Sequence, residues 1–212
     1  MRFIFFVLLE FLISTVAMAA TPIDGSYSSF FGGYAYIPPN INQATGVYTL
    51  NSPRYQSGFE AGGNIGYKSN PMRYEAELTY LKANVDHFYL DNVRQTGTSG
   101  YNQAVFGMAN IYFDLPMMDP LLQPFAGIGI GYGWVQAKFK DTAPTTLSFD
   151  ASNSTFAYQG SAGVTYNFAE NYALTLSYRF IGTSTLGGFG EIFQVHMANV
   201  GATYRFDEVK YK

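Results

Sequence analysis

The sequence predicts an all-β fold: an eight-stranded antiparallel up-and-down transmembrane β-barrel. Three observations predict it. Charged residues are scarce at 13%, while aromatic residues reach 18%, with 18 Tyr and 19 Phe; soluble domains carry about 25% charged residues. Segment after segment alternates apolar and polar residues, the period of two that a strand imposes. The connections between segments alternate between long and short, as loops and turns do at opposite ends of a membrane barrel.

The chain of 212 residues suffices for one such domain. It opens MRFIFFVLLEFLISTVAMAA, with one basic residue, an apolar run broken by Glu10, and the small-x-small triplet Ala17-Met18-Ala19. That is the pattern of a secretory signal peptide. The run falls short of the roughly 20 residues that a spanning helix needs. Residues 1–19 are therefore expected to be cleaved off, leaving a barrel domain over 20–206 and a short tail over 207–212. Cleavage removes one base, Arg2, and one acid, Glu10, so the net charge stays at −3. No later stretch is apolar enough for a spanning helix, so a membrane-embedded mature chain must close its sheet.

Strands are expected at 26–37, 57–68, 72–83, 102–114, 124–139, 155–168, 172–181 and 192–206. Each has the length of a tilted membrane strand, about 9–11 residues or more. The connections SNP and AEN are tight. Those centred on PPNINQATGVYTLNSPRYQ, DHFYLDNVRQTGTSG and KDTAPTTLSFDASNS are long. LPMMDPLLQ is long for a turn and fits least well.

The segment MRYEAELTYLK (72–82) poses the central question. Tyr74, Ala76, Leu78 and Tyr80 share one face; Arg73, Glu75, Glu77 and Thr79 share the other. The same division runs through the chain. One face carries Phe59, Ile65, Ile111, Ile128, Ile130, Trp134, Val164, Leu176 and Val200 and no charge. The other carries Glu60, Asn64, Asn110, Gln159, Ser161, Thr165, Arg179 and Asn199, with many glycines. In a soluble strand glycine weakens a water-facing surface. In a narrow barrel, small and large inward side chains must interdigitate. The uncharged face is accordingly expected to meet lipid, with its aromatic rings near the strand ends at the two membrane interfaces. The alternative is a soluble, lipocalin-like ligand carrier with that face turned inward. The first segment, YSSFFGGYAYI, is apolar on both parities and gives no orientation.

The segments PFAGIGIGYGW (124–134), FAYQGSAGVTYNF (156–168), LTLSYRF (174–180) and VGATYRF (200–206) resemble the small outer-membrane barrels of the OmpA and opacity-protein type, surface antigens included. The resemblance covers essentially the whole mature chain. It implies a bacterial outer-membrane location, contact with outer-membrane lipids, and a monomer. It also implies an assembly signal in the last strand, read by the barrel-assembly machinery, which Val200, Ala202, Tyr204 and Phe206 match. Many relatives stop at that aromatic residue; here DEVKYK follows it.

Functional candidates are few. Glu60, Glu75 and Glu77 against Arg73, Arg179 and Arg205 form an expected lumen ion network that plugs the barrel, with Arg179 as its central cation. Charges removed from water must be paired, because desolvation costs several kcal/mol per ion. The chain has no Cys, which removes disulfides, zinc-thiolate sites and cysteine nucleophiles. It has no basic stripe, which argues against nucleic acid. No metal-ligand cluster stands out, although Asp86, Asp91, Asp141 and Asp150 fall in expected loops. No cofactor motif is present: the alternating glycines at 127–133 lack the helix that a phosphate-binding loop requires. A lipid-modifying enzyme needs a base beside a nucleophile. His87, in an expected loop, and His196, near the loop end of the last strand, have no Ser at a telling spacing. The loops at 38–56, 84–100 and 141–154, with Tyr48, Tyr55, Phe88, Tyr89 and Phe149, are the expected contacts for a host cell or other surface.

Overall fold

The computed structural model describes residues 23–38, 43–45, 48–90, 93–94, 99–116, 121–140, 148–185 and 192–206. Among these residues eleven strands form: β1 (Gly25–Tyr36), β2 (Gln43–Thr45), β3 (Tyr48–Tyr55), β4 (Gly58–Ser69), β5 (Met72–Leu90), β6 (Val93–Arg94), β7 (Ser99–Asp114), β8 (Leu122–Lys140), β9 (Ser148–Asn167), β10 (Tyr172–Thr185) and β11 (Ile192–Arg205). Eight of them make the barrel wall in the order β1-β4-β5-β7-β8-β9-β10-β11, every pair antiparallel. The sheet closes because β1 pairs with β4 on one side and β11 on the other. Closure leaves the barrel without an edge, which the hydrocarbon layer demands.

The outward parity is the uncharged one. Phe30 is 76% exposed, Ile128 72%, Leu176 64% and Val200 57%. A lipocalin-like carrier would bury these side chains, so that reading falls. Two belts of rings flank the outward apolar band. Tyr67, Tyr74, Phe113, Tyr172, Tyr204 and Phe206 lie at the end with the tight turns; Tyr34, Phe59, Tyr132, Trp134, Tyr158 and Tyr178 lie toward the loops. The register also orients the first strand. Tyr27, Ser29 and Ala35 are buried inside, whereas Phe30, Tyr34 and Tyr36 face out.

Several strands run further than their alternation suggests. β5 continues to Leu90 and β9 begins at Ser148. β3 continues the line of β4 alongside β5, across the bond from Gln56 N–H to the Asn84 carbonyl at 2.8 Å. Asp86, His87 and Asp150 therefore sit on strands, not in loops. Tyr55 is not a free loop ring: it packs against the buried apolar cluster, and burial pushes its phenol up to about 12. Asp91 and Asp141 lie outside the described residues, as do residues 1–22 and 207–212. The side chains of Tyr48, Phe88, Tyr89 and Phe149 are likewise not described.

The lumen is divided. In the half nearer the turns its side chains are polar. Nearer the loops they are mainly apolar: Ala35, Ile37, Leu81, Ala83, Ala104, Phe106, Val135, Ala137, Ala157, Ile181, Phe193, Val195 and Met197 belong to one buried cluster, with Asn102, Thr155 and Thr183 buried at the same end. A uniformly polar lumen, as the alternation suggests, is not what forms. The strands change character at one level: Thr79 to Leu81, Asn110 to Phe106 across Met108, Gln159 to Ala157, Arg179 to Ile181, and Asn199 to Met197.

The glycines at 127–133 explain how so narrow a tube closes over large side chains. Gly127, Gly129, Gly131 and Gly133 on β8 stand opposite Tyr112, Asn110, Met108 and Phe106 on β7. A Cβ at each glycine would strike the side chain of that partner. The bare backbone of β8 is a floor on which the β7 side chains lie flat.

Candidate functional site

The polar half of the lumen concentrates the buried charge. Arg179 on β10 reaches across to β5. Its Nη2 donates to Glu77 Oε1 at 2.6 Å and to Thr79 Oγ1 at 3.0 Å, and its Nη1 lies 3.9 Å from Glu60 Oε2. The guanidinium carbon is 4.5 Å from the centroid of the Phe31 ring, a cation–π contact. Glu77 also accepts from Thr79 Oγ1 at 2.7 Å and from Asn110 Nδ2 at 2.9 Å. Glu60 accepts from Asn199 Nδ2 at 2.8 Å, and Asn199 in turn is bonded to Ser177. Arg179 thus stands between two carboxylates on different strands.

A second cluster lies nearer the turns. Arg73 Nε donates to Asp114 Oδ1 at 2.9 Å, and Arg73 Nη1 lies 3.4 Å from Glu75 Oε1. Lys68 Nζ is 3.0 Å from Asp114 Oδ2 and 2.8 Å from Gln123 Oε1. Glu75 is further held by Tyr27 O–H at 2.6 Å and Asn64 Nδ2 at 2.9 Å. The Arg73 guanidinium covers the Phe125 and Tyr112 rings at 4.6 and 5.0 Å.

Of the six residues expected in one network, the fold brings five into these two clusters. Arg205 does not join them through an ion pair among the described residues. Its Nη2 donates to Asn167 Oδ1 at 2.6 Å and its Nη1 to the Glu170 carbonyl at 3.3 Å, which ties the last strand to the β9–β10 turn. Lys68 and Asp114 were missed, although both parities were legible. They sit where β4 and β7 meet the turns, and only the register places them beside Arg73. With them included, four acids face four bases. Such a set satisfies the rule that buried charge be matched.

The two histidines sit in different settings. His196 Nδ1 is 2.6 Å from the Tyr178 hydroxyl, on the outer surface beside Tyr36 and Phe180. His87 Nδ1 is 2.8 Å from Asp86 Oδ2. Asp150 pairs instead with Lys138 at 2.8 Å. No group of three or more His, Asp or Glu capable of holding a metal occurs among the described residues. The expected assembly-signal side chains Val200, Ala202, Tyr204 and Phe206 all point outward.

The family model of the outer membrane protein beta-barrel domain matches residues 6–206. This chain belongs to that family. An outer membrane protein of Gluconacetobacter diazotrophicus is 30% identical over 210 residues, covering 84% of this chain and 53% of that protein. An uncharacterized protein of Brucella abortus is 27% identical over 164 residues, 64% of this chain and 55% of its own length. The chain thus spans about half the length of the curated relatives it matches. Among solved structures, Neisserial surface protein A is 14% identical with a TM-score of 0.55, covering 86% of this chain and 97% of that one. OprG of Pseudomonas aeruginosa is 12% identical with a TM-score of 0.55, covering 88% and 100%. These likenesses establish the fold. The outward apolar band, the closed sheet and the family together place the barrel in the outer membrane.

Proposed function

We propose that the protein is a non-enzymatic outer-membrane barrel whose working surface is the wall it raises above the bilayer, for contact with a host cell or another surface. One observation carries this reading: β5, β7, β8 and β9 continue past the loop-side ring belt as paired strands. There the outward residues turn polar. Gln103, Gln136 and Asp150 form a hydrogen-bonded row across β7, β8 and β9, with Lys138 paired to Asp150. Lys82 lies 4.7 Å over the Tyr101 ring. Lipid does not require this wall, so its persistence points to display.

The filled lumen and its ion clusters brace the barrel beneath that wall. The chain acts as a monomer, delivered by the barrel-assembly machinery through Val200, Ala202, Tyr204 and Phe206. The non-enzymatic reading is supported by the setting of the histidines: His196 Nδ1 meets the Tyr178 phenol on the outer, ring-rich surface, and His87 Nδ1 meets the Asp86 carboxylate.

Cell-binding assays test the reading. Bacteria displaying the wild type should adhere to epithelial cells. Shortening the 84–100 and 141–154 crests to tight turns should abolish adhesion while the barrel still shifts its mobility on boiling. Undiminished adhesion by the folded, shortened barrel would refute the display role. Deacylation of lipid A that disappears in His196→Ala would favour the enzyme instead.

A further inference from the structure

We propose that the apolar tier, and not the ion network, makes this barrel impermeable. The polar half below it is a water-filled blind pore entered from the side of the tight turns. The inference goes beyond surface display and assigns the two halves of the lumen different work.

Unsatisfied polar atoms mark where water belongs. Glu60 Oε2, Asn64 Oδ1, Arg73 Nη2, Gln159 Oε1 and Arg179 Nε are buried with no hydrogen-bond partner from the protein. All five belong to the polar half; the other three among the described residues, Tyr55 Oη and both amide atoms of Asn102, lie beyond the Leu81–Phe106 layer, toward the loops. Buried groups of this kind are normally completed by ordered water.

The polar half also has space for it. A cavity of about 50 Å³ lies between the two charge clusters, bounded by Asn64, Arg73, Glu77, Ser161 and Arg179. At roughly 10–15 Å³ for each water position, it has room for about three to five waters. A smaller cavity of about 10 Å³ sits below, bounded by Lys68, Asp114, Gln123 and Arg205. It continues the polar route toward the turns.

An apolar layer stops that route. Directly above Arg179 and Thr79, the lumen is filled by Leu81, Phe106, Ile181, Phe193 and Val195, with Phe106 and Phe193 stacked at 6.3 Å. Leu81, Phe106 and Ile181 have no measurable exposure. A close-packed plug of this kind offers neither space nor a polar partner to water, and apolar constrictions exclude ions by dewetting. An ion pair, in contrast, can exchange partners with water already beside it.

The chain has no cysteine, so single thiols can be introduced without background. Ser161→Cys, on the cavity, should react at least tenfold faster with a small cationic methanethiosulfonate than Ala104→Cys, in the plug. In planar bilayers the wild type should be silent. The Glu77→Gln/Arg179→Met barrel should also be silent, while Phe106→Ala/Phe193→Ala should show discrete conductance steps. Each variant is scored only on material that shifts mobility on boiling; if the double phenylalanine variant does not fold, Leu81→Asn replaces it. Equal labelling of the two thiols, conduction through the network variant, or silence of the opened plug would overturn the proposal.

Discussion

The lower and upper halves of this lumen are lined by the same strands, yet they are filled by opposite means. Near the turns, eight charged groups, several rings and a cluster of amides bond one another around small polar cavities. Near the loops, close-packed aliphatic and aromatic side chains fill most of the interior. The lower half is electrically specified, because each carboxylate needs a particular donor from a particular strand. The upper half is specified by shape, because Phe106 and Met108 fit only against a glycine floor. A barrel can therefore be filled with charge or with carbon, and the two fillings respond to different perturbations.

The largest expected effect comes from stranding a charge. Arg179→Ala leaves Glu77 and Glu60 without their cation and should destabilise the barrel by about 3–5 kcal/mol in urea titrations of vesicle-bound protein. Replacing the set together, Glu60→Leu with Glu77→Leu and Arg179→Met, should cost far less or even stabilise, since well-packed apolar groups often outperform buried ion pairs. An unchanged midpoint in Arg179→Ala would remove the lower half's electrical account.

In the upper half, truncation rather than charge is the lever. Leu81→Ala should cost about 2–5 kcal/mol, set by the cavity that remains. Gly133→Ala, on the floor beneath Phe106, should cost about 1–3 kcal/mol by overpacking. Adding Phe106→Leu should recover part of that cost. Independent, additive losses in this pair would contradict the floor-and-ring fit.

The smallest effect is expected above the membrane. The Lys138 ammonium, hydrogen-bonded to Asp150, holds that carboxyl below its ordinary range. A depressed folded-state value means that any stabilisation is present above the unfolded value and lost as pH falls through the folded one. Both groups are exposed to water, so exchanging Asp150→Asn should leave the unfolding midpoint within error at pH 7. A large shift would show that the wall is coupled to the barrel.

Most of the fold was legible because a membrane strand must keep one parity apolar along its length. Tyr74, Ala76, Leu78 and Tyr80 announce the lipid face, and Arg73, Glu75 and Glu77 the lumen. The apolar plug was not legible. At Val105-Phe106 and Ile192-Phe193 both parities are apolar, so alternation vanishes where the inner face is most important. The first strand was opaque for a related reason. Its inward Tyr27 and Phe31 serve polar partners, Glu75 and Arg179, with rings that look lipid-facing. Arg205 illustrates a second limit. Parity places it in the lumen, but only the register reveals that Asp114 is already held by Lys68 and Arg73. The strand extensions were hidden because Asp86 and Asp150 meet water on a wall and, with His87, carry the composition of a loop.

Trp134 offers the most direct test, because it is the only tryptophan in the sequence and it stands on the outward face of β8 in the loop-side belt. Its fluorescence in vesicles should be quenched strongly by lipids brominated near the headgroup, less by lipids brominated near the chain ends, and scarcely by aqueous iodide. Iodide quenching that equals that of free tryptophan, with no response to brominated chains, would mean that the ring-rich face does not touch lipid.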